Sequence, residues 1–114
     1  RIEMSTTINA AEFLETHRPF GDMQGLVNSL RRLQTVWSWG AHGWTRMNAN
    51  CLRFAVKGHH HRGHVYLAVN GGNLFDVYLT TSRGTIKHTV IDLFLEDLVD
   101  AIDVLVERIP EYKT

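Results

Sequence analysis

The residues with the most evident capacity for chemistry are four histidines in one short segment. His59, His60 and His61 are consecutive, and His64 follows three positions later. Neutral imidazoles bind Zn²⁺ and other transition metals when three or four ligands converge on one point. The run from residue 58 to residue 64 supplies no cysteine or carboxylate that would complete such a set. We therefore expect a solvated turn and no cofactor, and keep His59, His61 and His64 as candidate metal ligands.

Three tryptophans form a second group with binding capacity. Trp37, Trp39 and Trp44 fall within eight residues, and Gly40 and Gly43 separate the last two. Indole rings stack on planar or cationic ligands, and glycine lets a ligand approach the backbone. We expect Trp37 and one other tryptophan to lie in the core. For Trp44 the pattern does not decide between a place in the core and a contact with a ligand, because its glycine neighbour predicts an exposed loop.

The single cysteine gives no indication of catalysis. Cys51 lies in or beside a strand with no evident base to activate it, which is typical of a buried and unreactive thiol. A lone cysteine also excludes an internal disulfide and fits a reducing compartment. The sequence contains no P-loop, dinucleotide fingerprint or nucleophile elbow. We therefore expect a cytoplasmic protein that is not an enzyme.

Charge is unevenly distributed along a chain that is neutral overall. Residues 46–91 carry six Lys and Arg against one acid, whereas residues 92–114 carry seven acids against two basic residues. Four of these acids recur at helical spacing: Glu96, Asp100, Asp103 and Glu107. The pattern favours a solvated helix face, and a carboxylate metal site or a contact for a basic partner are the alternatives.

Helices are predicted before the strands. Asn9 and Glu12 are spaced as a capping box for a first helix, which ends before Pro19. Asp22 caps a second helix, in which apolar residues recur at the spacing of one helical face. The pattern does not decide whether residues 35–40 form a helix or a strand.

Strands are predicted by alternation in the middle of the chain. Their apolar residues should be buried: Leu52, Phe54, Val56, Val65, Leu67, Val69, Phe75, Val77 and Leu79. Asn70-Gly71-Gly72-Asn73 predicts a tight hairpin turn, and a weaker strand follows from Ile86. A final helix is expected from Asp92 to Pro110, with Phe94, Leu98, Ile102 and Leu105 facing inward.

These elements predict one domain, residues 4–114, with the order α-α-β-β-β-β-α. The predicted class is α+β, with two layers. One layer is an antiparallel meander of four to five strands, and the other consists of helices packed on one face of that sheet. The polar face of that sheet should then carry residues suited to binding, namely Arg53, Lys57, His64, Tyr66 and Tyr78, with Lys87 as a further candidate. Cations interleaved with aromatics suit phosphates and bases, and a protein interface equally favours Tyr and Arg.

Much of the sequence resembles a group of short uncharacterised Bacteroidetes proteins that are often encoded near mobile elements. The resemblance spans residues 35–107 and rests on SWGAHGW, LRFAVKGHHHRGHVYLAVNGGNLFDVYL and SRGTIKHTVIDLFLEDLVDAIDVLVE. It implies an intracellular bacterial protein associated with phage or plasmids. It implies no activity and assigns no role to any residue.

Together these observations predict a small non-enzymatic binding protein. We expect it to self-associate or to bind a protein partner through the polar sheet face or an edge strand. The alternative is a nucleic-acid-binding module that uses the basic and aromatic sheet face. No apolar run reaches membrane-spanning length, so no membrane partner is expected.

Overall fold

The fold is that of a computed structural model, which describes residues 7–107. Within that range a 3₁₀ turn, Ala10–Glu12, runs directly into the short helix α1, Phe13–Thr16. The remaining elements are α2 (Met23–Arg31), α3 (Gln34–Ser38), β1 (His42–Asn48), β2 (Cys51–Lys57), β3 (Arg62–Val69), β4 (Phe75–Thr80), β5 (Ile86–Leu93) and α4 (Leu95–Val106). None of the helices between residues 7 and 107 has the length and apolar composition needed to cross a membrane.

The five strands form one antiparallel sheet in the order β1-β2-β3-β4-β5. Leu52 pairs with Leu67, and Leu67 pairs with Val77, so their side chains share a face. The predicted α+β fold with an antiparallel meander is confirmed. The fifth strand is β1, and the segment that the sequence left open between helix and strand forms α3.

Helices α2, α3 and α4 cover the apolar face of this sheet. The side chains buried between the two layers include Val27, Trp39, Phe54, Leu98 and Ile102. Seven of the nine strand residues predicted to be buried are buried, and the other two, at the turn between β3 and β4, are partly buried. The strand registers inferred from alternation are therefore confirmed.

The N-terminal segment Thr7–Arg18 lies on the opposite face of the sheet. Phe13 packs there with Cys51, Tyr66 and Ala68 in a second, smaller apolar cluster. The segment is held at both ends, because the Ile8 N–H donates to the Gly84 carbonyl at 2.8 Å and the Arg18 N–H donates to the Val69 carbonyl at 2.7 Å. The first helix thus covers the face that the prediction left to solvent.

Two of the three predicted helix caps are present. The Asn9 side chain accepts from the Ala11 N–H at 3.1 Å, and the Asp22 side chain accepts from the Gly25 N–H at 2.9 Å. The prediction that Asp92 caps the last helix is wrong, because β5 continues to Leu93 and the helix begins at Leu95. The predicted helix end at Pro110 lies outside the described residues.

Tryptophan positions differ from the prediction in one important respect. Trp39 is buried and stacks on Phe54, with ring centroids 6.4 Å apart. Trp37, which the spacing placed in the core, is 78% exposed. Helix α2 ends at Arg31 and a separate helix, α3, begins at Gln34. The face on which α2 buries its side chains therefore does not continue into α3.

Candidate functional site

The structure brings together most of the residues predicted for the polar sheet face. Arg53 pairs with Tyr66, and Tyr66 pairs with Tyr78, so the three form one row across β2, β3 and β4. His64 lies in the next row, and Lys57 is exposed at the end of β2. The order of cations and aromatics along this face therefore matches the interpretation of the sequence.

The aromatic part of this row is not open to a ligand. Tyr66 is 6% exposed beneath the N-terminal segment. The ring of Tyr78 lies 5.3 Å from that of Phe13, and burial together with the nearby Asp76 carboxylate raises the pKa of Tyr78. Bases therefore have no free tyrosine ring on which to stack while this segment is in place.

The cations of the row remain partly accessible. Arg53 is half-buried, and its buried Nε has no hydrogen-bond partner within residues 7–107. Burial lowers the pKa of the neighbouring His64, and the positive charges of Arg53 and His42 lower it further. This strip of positive charge reaches the edge strand β1, because His42 belongs to that strand.

Cys51 lies under the N-terminal segment and carries no reactive thiolate. It is buried with Phe13 and Ala68, and burial raises its pKa to about 12. Since the thiolate is the nucleophilic form, the thiol is unreactive near neutral pH.

The histidine run does not form a metal centre. His61 is buried and its Nε2–H donates to the Thr80 carbonyl at 3.0 Å, and burial lowers its pKa. His59 instead lies beside Glu107, with 3.6 Å between Nε2 and Oε2. Across residues 7–107 no three His, Cys, Asp or Glu side chains are grouped to hold a metal ion. The expectation of a wholly solvated turn is wrong for His61.

The acidic stripe of α4 is divided between structural and exposed residues. Asp103 accepts a hydrogen bond from the Trp39 indole at 2.9 Å, and Glu107 accepts one from the His59 backbone N–H at 3.1 Å. Glu96 and Asp100, in contrast, are exposed. Only the first half of the stripe is therefore available to a partner.

An apolar groove between α2 and α4 was not anticipated from the sequence. Its cavity measures about 520 Å³ and is lined mainly by apolar residues of both helices, with Asp22 and Ser29 on the α2 side and a floor that includes Val69 and Phe75. Leu33, between α2 and α3, and Leu95, at the start of α4, line it and are 43% and 57% exposed. Leu33 continues the apolar repeat of the second helix, and Leu95 was not among the residues predicted to face inward, so the sequence alone gave no sign that the two line an opening.

A second unanticipated feature lies on the other side of α2, where the helix faces β1. Two cavities of about 290 and 230 Å³ adjoin there and share Arg31 and Trp44. Trp44 was a candidate binding residue, and it is half-buried with its ring stacked on Phe54 at 4.3 Å between centroids.

No protein-family model, curated protein sequence or solved structure matches this chain. The resemblance based on residues 35–107 therefore stays a prediction.

Proposed function

We propose that this chain is a small non-enzymatic interaction protein of the cytoplasm that self-associates, with the apolar groove between α2 and α4 as the contact surface. The observation that carries the proposal is the open cavity of about 520 Å³ between Leu33 and Leu95. Contiguous apolar surface of this kind is costly to leave in water and commonly marks a protein interface. The buried thiol of Cys51 supports a reducing compartment.

The charges on either side of the groove favour a second copy of the chain as its occupant. On α4, the exposed acids Glu96 and Asp100 each follow a groove-lining residue by one position. On the α2 side, exposed Arg32 directly precedes Leu33 at the C-terminal end of the helix, whereas the groove-lining acid Asp22 lies at its N-terminal end. A two-fold interface uses the same patch on both subunits, so the basic end of α2 can face the acidic start of the partner's α4 twice.

The surfaces expected from the sequence are less suited to association. The polar sheet face is largely occupied, because the N-terminal segment covers Tyr66 and contacts Tyr78. The pairing of each edge strand, β1 and β5, is interrupted by two register shifts. Irregular edges disfavour strand-to-strand addition between copies, which leaves the groove as the better surface.

Light scattering coupled to size-exclusion chromatography tests the proposal. The wild type should have twice the mass of the chain at high concentration and dissociate on dilution. Leu33→Glu and Leu95→Glu each place a carboxylate in the apolar contact, so both variants should remain monomeric. Leu14→Glu is the matched control, because Leu14 is 55% exposed on the N-terminal segment, and it should behave as the wild type.

Two outcomes would overturn this proposal. A wild type that stays monomeric at every accessible concentration would exclude self-association. A loss of dimer mass in Leu14→Glu equal to that in Leu95→Glu would place the contact elsewhere. Circular dichroism of each variant checks that the substitution has not unfolded the protein.

A further inference from the structure

The cleft between α2 and β1, which we call the Trp44 cleft, has aromatic walls and a basic lining. It comprises the two adjoining cavities that share Arg31 and Trp44. The first cavity also contacts Trp37 and His42, and the second contacts Gln24 and Arg46. Neither cavity is lined by a carboxylate.

Its two tryptophans are placed as stacking surfaces. Trp37 is 78% exposed, although its neighbours Val36 and Trp39 are almost completely buried. Trp44 is fixed by its stacking on Phe54, at an interplanar angle of 22°. Rigid Trp44 and exposed Trp37 thus present two flat apolar rings in one cavity. Binding to these rings costs little side-chain conformational entropy.

The backbone beside Trp44 leaves room for a ligand. Gly43 has a φ of 66°, a left-handed conformation that favours glycine, and a Cβ at this position would meet nothing within 4 Å. The approach to the cleft past this residue is therefore open.

Within residues 7–107, no ion pair neutralises the positive charges of Arg31 and Arg46 in the cleft. The ion pairs found within residues 7–107 involve His17 with Asp76 and His59 with Glu107, and neither touches Arg31 or Arg46. Two further basic residues lie near this edge, because Arg53 pairs with Thr45 of β1, and His42 of β1 pairs with Ala55. Among the described residues, an anionic ligand would therefore meet cations of the cleft that are in no ion pair.

The acidic helix supplies no lining residue to the cleft, although it packs on α3, which carries Trp37. Helix α4 packs on β4, β5 and α3, whereas β1 lies at the opposite edge of the sheet. None of the carboxylates of α4 lines the cleft, and two of them, Asp103 and Glu107, accept hydrogen bonds from the Trp39 indole and the His59 backbone.

We infer that the Trp44 cleft binds single-stranded nucleic acid, with bases stacked on Trp37 and Trp44 and phosphates bound by Arg31 and Arg46. Stacking on aromatic side chains combined with cations along the strand is the common means of binding single strands. A duplex hides its base faces, so it cannot use the indoles. Two cavities in series, joined at Trp44, suit successive nucleotides of one strand.

Fluorescence anisotropy with a labelled oligouridylate of about 12 nucleotides tests this inference. Trp37→Ala should weaken binding by about 5-fold to 150-fold, which is the loss of one stacked base. Trp37 is exposed, so this change should leave the fold intact. Arg31→Gln with Arg46→Gln should also flatten the dependence of log affinity on log salt, by about 0.7 for each lost phosphate contact.

The controls separate a specific cleft from general positive charge. Arg83→Gln removes an exposed arginine at the turn between β4 and β5, outside the cleft, and should bind as the wild type. Leu95→Glu should also retain the affinity of the wild type, since this site does not depend on self-association.

Four results would contradict the inference. The first is no binding by the wild type at about 50 mM salt, where phosphate contacts are strongest. The second is equal affinity of Trp37→Ala and the wild type. The third is equal or tighter binding of a duplex or of heparin, which would show attraction by charge alone. The fourth is equal affinity for uridine monophosphate, which would exclude a strand as the ligand.

Discussion

The imidazole of His17 contacts the carboxylate of Asp76, with 2.7 Å between Nε2 and Oδ2, and this contact fixes the N-terminal segment on the sheet. The other oxygen of Asp76 accepts from the Asn70 side chain at 2.9 Å and from the Asp92 backbone N–H at 3.1 Å. A single buried carboxylate therefore joins the N-terminal segment, the turn after β3 and the end of β5. The part of the polar sheet face that lies under the N-terminal segment, including Tyr66, is therefore closed to a ligand.

Replacing Asp76 should destabilise the protein. Asp76→Asn removes the charged acceptor and should lower the free energy of unfolding by about 1.5–3 kcal/mol, the usual value for hydrogen bonds to charged groups. Urea denaturation measures this loss. Glu15→Gln is the control on the exposed side of α1 and should change stability by less than about 0.5 kcal/mol. Equal stability of the two variants would mean that Asp76 does not hold the segment.

The thiol of Cys51 should report whether the N-terminal segment stays closed. Burial raises its pKa to about 12, so alkylation by iodoacetamide at pH 8 should be far slower in the folded protein than in urea. His17→Ala should accelerate the reaction, because it removes the contact with Asp76 that closes the segment. Rapid alkylation of the folded wild type would show that this segment does not protect the thiol.

Stability should fall when the solution is acidified below about pH 6.5, the ordinary pKa of histidine. Burial lowers the pKa of His61 in the folded protein, so the unfolded chain binds its proton more readily. The contribution of neutral His61 is fully present above the unfolded pKa and is lost as pH falls toward the folded pKa. His61→Gln should flatten the curve of unfolding free energy against pH in this window. If His61→Gln leaves this curve unchanged, the loss of stability on acidification comes from groups other than His61.

Truncation in the core should be costly. Leu67 is completely buried between the two layers, and Leu67→Ala should lower the free energy of unfolding by about 2–5 kcal/mol. Leu14→Ala is the matched control, because Leu14 is largely exposed, and its loss should be small. A loss below about 0.5 kcal/mol for Leu67→Ala would contradict the strand register.

Local periodicity was sufficient to predict the central strands. Leu52, Leu67 and Val77 could be placed on one face because alternation has a period of two and the strands run antiparallel. The same argument placed Arg53 and Tyr66 on the other face. These conclusions need only neighbours in the chain, which is why they could be reached from sequence.

Features that depend on distant contacts could not be predicted. The cover on the polar face rests on His17 and Asp76, which are 59 residues apart. The exposure of Trp37 follows from a break between α2 and α3 that no proline or glycine marks. The apolar groove depends on the separation of α2 and α4 on the sheet, which the local pattern around Leu33 and Leu95 does not record.

The most direct test of self-association through the groove is a charge exchange between two copies, followed by sedimentation velocity. Arg32→Glu places like charges against Glu96 and Asp100 of the partner, and Glu96→Lys with Asp100→Lys places like charges against Arg32. Each variant alone should be monomeric at a concentration at which the wild type is a dimer. An equimolar mixture should sediment as a dimer, because both contacts of the two-fold interface then join opposite charges. A mixture that remains monomeric beside a dimeric wild type, or a wild type that is itself monomeric, would contradict the proposed interface.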